Sequence, residues 1–165
     1  MRTIVTGGAW FIGSHLVDAL VGRGDEVIVI DNLASGKRKH LNPAATFLEA
    51  DIRDGIDASG ATTVFHLAAQ ADVQTSVRRP AFDADVNVVG TVRVLEAAHA
   101  AGARVVFSST GGAIYGECDG PAEEGSPLRP ESPYGIAKLC GEAYLAGWNR
   151  MHGTGHVVLR FANVY

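Results

Sequence analysis

The chain has 165 residues, 47% hydrophobic and 19% charged, which is enough length and apolar material for one well-packed core. A formal net charge of −4 and a sequence pI of about 5.8 leave no basic patch dense enough for nucleic acid, so a phosphate-bearing partner is expected to be small. No apolar run approaches the roughly 18 residues that suggest a membrane span. Cys118 and Cys140 lack CxxC spacing and read as free thiols of a reducing compartment, so a cytoplasmic chain without a metal is expected.

The first apolar run, Thr3 to Thr6, reads as a buried strand, and a helix is predicted from Ile12 to Val21. Between them stands Thr6-Gly7-Gly8-Ala9-Trp10-Phe11-Ile12-Gly13, where backbone N–H groups and a helix N-terminus can receive a pyrophosphate. Gly7, Phe11, Ile12 and Gly13 are therefore expected to form the phosphate end of a cofactor site, with Gly7 permitting the tight turn and Gly13 the close helix packing. Trp10 stands where a bare hydrogen would let the backbone approach a pyrophosphate. An indole there is expected either to fill phosphate space or to displace the loop.

A second strand, Glu26 to Ile30, leads to Asp31, placed to accept hydrogen bonds from an adenosine ribose and to repel a 2′-phosphate, which favours NAD over NADP. The third strand, Thr46 to Leu48, is followed by Asp51-Ile52, which reads equally well as a carboxylate beside an adenine or as a solvated strand end. A turn or one short helix is predicted over Arg53 to Ala61, then a strand from Thr63 to Leu67 and a long helix from about Phe82 to Ala100. Arg78-Arg79-Pro80 reads as a solvated helix-start turn, and His66 as a structural histidine rather than an acid or base.

The fifth strand starts at Arg104 and ends in Ser108-Ser109-Thr110, at the carboxyl edge where open α/β sheets bind ligands; capping of the turn at Gly111-Gly112 is the alternative role for these hydroxyls. The long loop Gly116 to Pro133 is expected to border the active site. In the helix that follows, predicted from about Pro133 to Met151, Tyr134 and Lys138 stand four residues apart on one face. An ammonium beside a phenol, together with an oxidised nicotinamide, favours phenolate, so Tyr134 is a candidate proton acceptor and Lys138 its tuning group. Tyr144, Trp148 and Met151 form an apolar stripe suited to core or subunit packing.

A last strand, His156 to Arg160, runs into Phe161-Ala162-Asn163-Val164-Tyr165. The alternation of strands and helices predicts an α/β fold, a doubly wound parallel sheet of Rossmann type. Residues 1–165 read as one NAD-binding domain, truncated before a substrate domain.

In order, Thr6-Gly7-Gly8-Ala9, Phe11-Ile12-Gly13-Ser14-His15, Val29-Ile30-Asp31-Asn32, Asp51-Ile52-Arg53, His66-Leu67-Ala68-Ala69, Asn87, Ser108-Ser109-Thr110, Ser132-Pro133-Tyr134-Gly135, Lys138 and Arg160-Phe161-Ala162-Asn163 resemble the N-terminal domain of UDP-glucose 4-epimerases, a branch of the extended short-chain dehydrogenases. The resemblance covers essentially the whole chain. It implies that Asp31, Asn32, Asp51, Ile52, Leu67, Ala68, Ala69, Asn87, Tyr134 and Lys138 contact NAD. It further implies that Thr110 and Asn163 face a UDP-sugar, that Thr110 holds the catalytic Ser/Thr position, and that the protein is a homodimer. The implied chemistry is inversion at the sugar C4, with Tyr134 as base, hydride transfer to NAD and a 4-keto intermediate. A nucleotide-sugar 4,6-dehydratase is the nearest rival, but that branch follows its strand-end Thr with Asp-Glu where this chain has Gly111-Gly112. A non-catalytic nucleotide-binding fragment is the alternative of another class.

Overall fold

The computed structural model describes residues 1–165. Six strands, β1 (Arg2–Thr6), β2 (Glu26–Asp31), β3 (Thr46–Glu49), β4 (Thr63–His66), β5 (Arg104–Thr110) and β6 (Val157–Phe161), form one parallel sheet in the order β3-β2-β1-β4-β5-β6. The chain winds outward from β1 to β3 and then returns to β4 on the other side of β1. This reversal opens a crevice at the carboxyl ends of β1 and β4, the position where such sheets bind ligands.

Alternation along the strands sorts side chains onto two faces. Ile4, Ile28, Ile30, Val64, Val105 and Phe107 join the larger core cluster, which also contains Val94 and Leu95 of α4 (Gly90–Ala100) and Leu145 of α5 (Pro133–His152). Val5, Val27 and Val29 point the other way, onto Val17 and Leu20 of α1 (Phe11–Gly22). Both faces of the inner strands are thus covered, which is why those strands read as continuous apolar runs.

The helices α1 and α5 lie within about a residue of their predicted spans, and α5 has the expected signals. Ser132 accepts from Gly135 N at 3.1 Å, Pro133 occupies the first turn, and Gly153 closes the helix at φ +64. Two differences concern the stretch before α4. Val73–Arg78 forms a short helix α2 that the sequence did not signal, started by Asp72 accepting from Thr75 N at 2.7 Å. The predicted helix from Phe82 to Ala100 is composite: α3 (Pro80–Ala84), a π-helical turn at Asp85–Val89, then α4. Inserted π turns are frequent at functional sites, and this one carries buried Asn87. No helix is long and apolar enough to cross a membrane.

Candidate functional site

A cavity of about 520 Å³ opens at the carboxyl ends of β2, β1 and β4. That volume suits a small organic ligand, for which roughly 300–1,000 Å³ is usual. Gly7, Asp31, Asn32, Asp51, Ile52, Leu67, Ala68 and Ala69 line it, so the structure gathers residues from after β1 to after β4.

The two acidic residues behave differently. Asp31 ends β2 with its Oδ2 accepting from Ala9 N at 3.0 Å and Oδ1 from Leu33 N at 2.8 Å, so its carboxylate ties the phosphate loop to the strand end. Each oxygen keeps acceptor capacity for a ligand hydroxyl. Asp51 is saturated by comparison. Arg53 donates to Oδ1 through Nε at 2.9 Å and to Oδ2 through Nη2 at 2.8 Å, while Asn32 Nδ2 adds a bond to Oδ2 at 2.9 Å. The Arg53 bonds hold the Asp51 carboxyl far below the usual carboxylate range. Arg53 also bonds Asp85 Oδ2 at 3.0 Å and lies over the Phe82 ring, fixing the Asp51 end of the cavity to the π turn.

The phosphate loop packs as its glycines require. A Cβ on Gly13 would sit 2.2 Å from Gly7 O, and one on Gly7, at φ +75, would sit 2.6 Å from Ala68 N. Trp10 caps α1 with an extended backbone, φ −107, which any residue adopts, so the indole imposes no left-handed strain. It is 48% exposed and forms part of the cavity wall beside Gly7. Of the two expected outcomes, the indole therefore reaches the groove without a strained turn. For NAD, the residues present fit the adenosine end, with Asp31, Asn32, Asp51 and Ile52 converging there, while Trp10 narrows the phosphate end.

The cavity wall at Leu67 to Gln70 is held from behind. Asn87 Oδ1 accepts from Gln70 N at 2.9 Å, and its Nδ2 donates to Gln70 O at 2.8 Å and to Asp83 Oδ1 at 3.0 Å. Asn87, expected to touch the cofactor, thus sits behind the wall and is not among the lining residues. Phe11 and Ile12 do not line the cavity either. Phe11 stacks edge-on with His15, and Ile12 belongs with Leu16, Phe65, Val106 and Leu159 to a small apolar groove on the α1 face. Only their backbone, at the N-terminus of α1, is placed toward a phosphate.

Tyr134 and Lys138 meet β5 at its carboxyl end. Lys138, 3% exposed, donates to Ser108 O at 2.8 Å and lies 4.8 Å from the Phe107 ring centroid and 5.9 Å from that of Tyr134. Burial pushes the Lys138 ammonium down to about 8, partly opposed by the Asp83 carboxylate. Burial, and then the Asp83 charge, raise the Tyr134 phenol above its ordinary value, and the Lys138 ammonium is turned to the Ser108 carbonyl. Thr110 ends β5 nearly buried, while its neighbour Ser109 donates to Glu142 Oε1 at 2.5 Å.

Sequence reasoning gave no role to Arg160, which organises the long loop. It bonds Glu142 Oε2 through Nη2 at 2.7 Å, and through Nη1 it reaches Tyr115 OH at 2.9 Å and Glu124 O at 3.0 Å. Asn163, past the end of β6, is exposed and hydrogen-bonds none of these groups. His66 is 1% exposed between Thr6 Oγ1 (2.8 Å) and Thr91 Oγ1 (3.0 Å), and burial lowers it to about 3. It is a neutral structural link between β1, β4 and α4, as its place in a strand suggested. Cys118 and Cys140 are free and exposed.

A family model described as the NAD dependent epimerase/dehydratase family matches residues 3–165. A UDP-glucose 4-epimerase of Mycolicibacterium smegmatis is 45% identical over 178 residues, covering 100% of this chain and 56% of the relative. Among solved structures, the UDP-glucose 4-epimerase of Thermotoga maritima with UDP-glucose superposes with a TM-score of 0.97 at 49% identity, over 100% of this chain and 56% of the other. The UDP-glucose 4-epimerase of Thermus thermophilus, in complex with NAD, gives 0.92 at 44% identity, again over 100% of this chain and 56% of the other. The chain spans about half the length of the relatives it matches.

Proposed function

The chain belongs to the NAD dependent epimerase/dehydratase family, and from that premise we propose that residues 1–165 are the NAD-binding domain of a UDP-sugar 4-epimerase of the UDP-glucose/UDP-galactose type. The observation that carries the reading is that Lys138, beside Tyr134, bonds Ser108 O of β5, the strand that ends in Thr110 at the sheet edge that also bears the cavity.

Asp31 and Asn32 would hold the adenosine ribose, Asp51 and Ile52 the adenine, and Leu67 to Ala69 the cavity wall beside it. When bound, NAD supplies a hydride acceptor and donor at the sugar C4. Tyr134 takes the proton from the 4-hydroxyl and returns it, Thr110 shares that proton path, and Lys138 orients the ring. Asn163 would face the sugar nucleotide. Epimerisation is preferred to dehydration because Thr110 is followed by Gly111-Gly112, and Glu142, the carboxylate bonded to Ser109, is also held by Arg160. The same reading places the protein in cytoplasmic galactose metabolism as a homodimer, in which the half-exposed Tyr144 and Met151 of α5 would be covered.

Incubating the chain with NAD and UDP-galactose over long times tests the assignment. The reading predicts NAD binding with little or no formation of UDP-glucose by the 165-residue chain, because the chain spans about half the length of its relatives. Steady conversion at rates typical of enzymes would overturn that expectation, and absence of NAD binding would overturn the assignment itself.

A further inference from the structure

Asp83 is 0% exposed, and its two oxygens are treated unequally. Oδ1 accepts from Gln70 Nε2 at 2.8 Å and from Asn87 Nδ2 at 3.0 Å, whereas Oδ2 has no hydrogen-bond partner. A buried carboxylate with an orphan oxygen is costly unless a cation offsets its charge. Its helix, α3, packs against α2 and α5 and runs directly into the π turn.

The charged and titratable groups on those elements are few. Arg79 caps α3 but lies over the Phe82 ring at 4.3 Å. Arg53, from the turn facing the π segment, is paired with Asp51 and Asp85, and Arg78 of α2 lies beside Asp72 and Thr75. On α5 stand Tyr134 and Lys138 together with Cys140, Glu142, Tyr144, Arg150 and His152, of which Glu142 is held by Ser109 and Arg160. Lys138 is buried, forms no ion pair within 4.0 Å, and donates a single hydrogen bond, to a neutral carbonyl. Helix α3, which carries the buried anion, packs against α5, which carries the buried cation, and neither group has an ion-pair partner within 4.0 Å.

We infer that Asp83 is a positioning residue for the Tyr134–Lys138 pair: a buried counter-charge that keeps the Lys138 ammonium protonated and, through Gln70 and Asn87, locks the cavity wall to the helix face bearing the pair. This rests on the reading of Tyr134 and Lys138 as the chemical pair. The arrangement links the cavity to the helix bearing the pair, because Gln70 lines the cavity and bonds Asp83, whose helix α3 packs against α5. The Asp83 charge raises both Lys138 and Tyr134, while Asp83 itself is raised by burial, which outweighs the lowering by its bonds from Gln70 and Asn87 and by the Lys138 charge.

Asp83→Asn in the 165-residue chain separates charge from packing by sign. Loss of the charge lowers the titration of Lys138 and of Tyr134 together, each by on the order of one pH unit, or about tenfold in proton affinity. A merely structural role predicts the opposite for lysine, since loosened packing admits water and moves Lys138 back up. Nitrogen-resolved NMR of labelled lysine reads Lys138 directly, with exposed Lys37 and Lys39 as internal references. Tyrosinate absorbance against a Tyr134→Phe background reads the phenol. Should the variant not fold, the unmodified chain serves, because the Asp83 carboxyl and Lys138 ammonium signals must share an inflection. A Lys138 signal that is unmoved or shifted upward in Asp83→Asn, or independent of Asp83 in the unmodified chain, overturns the inference. These titrations need no ligand, so failure to bind NAD or UDP-sugar would sink the proposed function without touching them.

Discussion

The end of the site proposed to hold the nucleoside and the end proposed to be catalytic lie on the same sheet edge but are built differently. At the nucleoside end, Asp31 and Asp51 are fastened by Ala9, Leu33, Asn32 and Arg53, so the charges have partners before any ligand arrives. At the catalytic end, Tyr134, Lys138 and Asp83 are buried with fewer partners than they can use, and burial is the largest influence on all three. The first is a preformed binding surface. The second holds chemistry in reserve, and its protonation states will respond to whatever charge is brought beside it.

The sharpest way to break that contrast is to disturb the preformed end. Gly13→Val would force side-chain carbon into the space 2.2 Å from Gly7 O, so the loop and first helical turn must move. Urea unfolding should show a loss of about 2–3 kcal/mol, with NAD binding abolished. An unchanged midpoint would show that the loop is softer than its packing implies. Trp10 sharpens the same point in the opposite direction. Trp10→Gly should tighten NAD by roughly five- to a hundredfold, as removal of about 1–3 kcal/mol of obstruction requires. Equal affinities by calorimetry would mean that the indole is accommodated without cost.

The catalytic end answers to pH instead. Lys138 falls from 10.5 unfolded to about 8 folded, so between those values the unfolded chain binds more protons. Stability should therefore rise with pH across that window, by at most about 3 kcal/mol from this group, until Tyr134, raised in the folded state, begins to oppose it above its ordinary value near 10. His66 acts on the acid side with the same sign, since its folded value of about 3 lies below 6.5. Stability is lost as pH falls through that range. A Lys138→Met chain whose alkaline stability profile matches the parent would contradict the first statement.

The two ends also differ in how much the sequence disclosed. Strands announced themselves as apolar β-branched runs, and the loop glycines with Asp31 stood in a readable strand-turn-helix order. Tyr134 and Lys138 share a face because four residues make about one helical turn. What stayed hidden depends on pairs distant in sequence. Arg53 meets Asp85, Gln70 meets Asp83, and Arg160 meets Glu142 and Tyr115 only once the sheet is assembled. The π turn was equally silent, because its residues keep helical periodicity while shifting the register by one. Phe11 and Ile12 stand at the start of α1, where the sequence placed the end of the loop, but Phe11 stacks on His15 and Ile12 joins a separate apolar groove, so neither lines the cavity.

The division between a preformed nucleoside end and a reserved catalytic end is tested most directly by calorimetric titration of NAD into Asp31→Ala and Tyr134→Phe chains, each against the parent. Asp31→Ala removes a charged acceptor and the ties to Ala9 and Leu33, and should weaken NAD by at least roughly tenfold, as loss of about 1.5–3 kcal/mol implies. Tyr134→Phe should leave affinity within about threefold. Comparable losses in both variants, or a larger loss in Tyr134→Phe, would contradict the account.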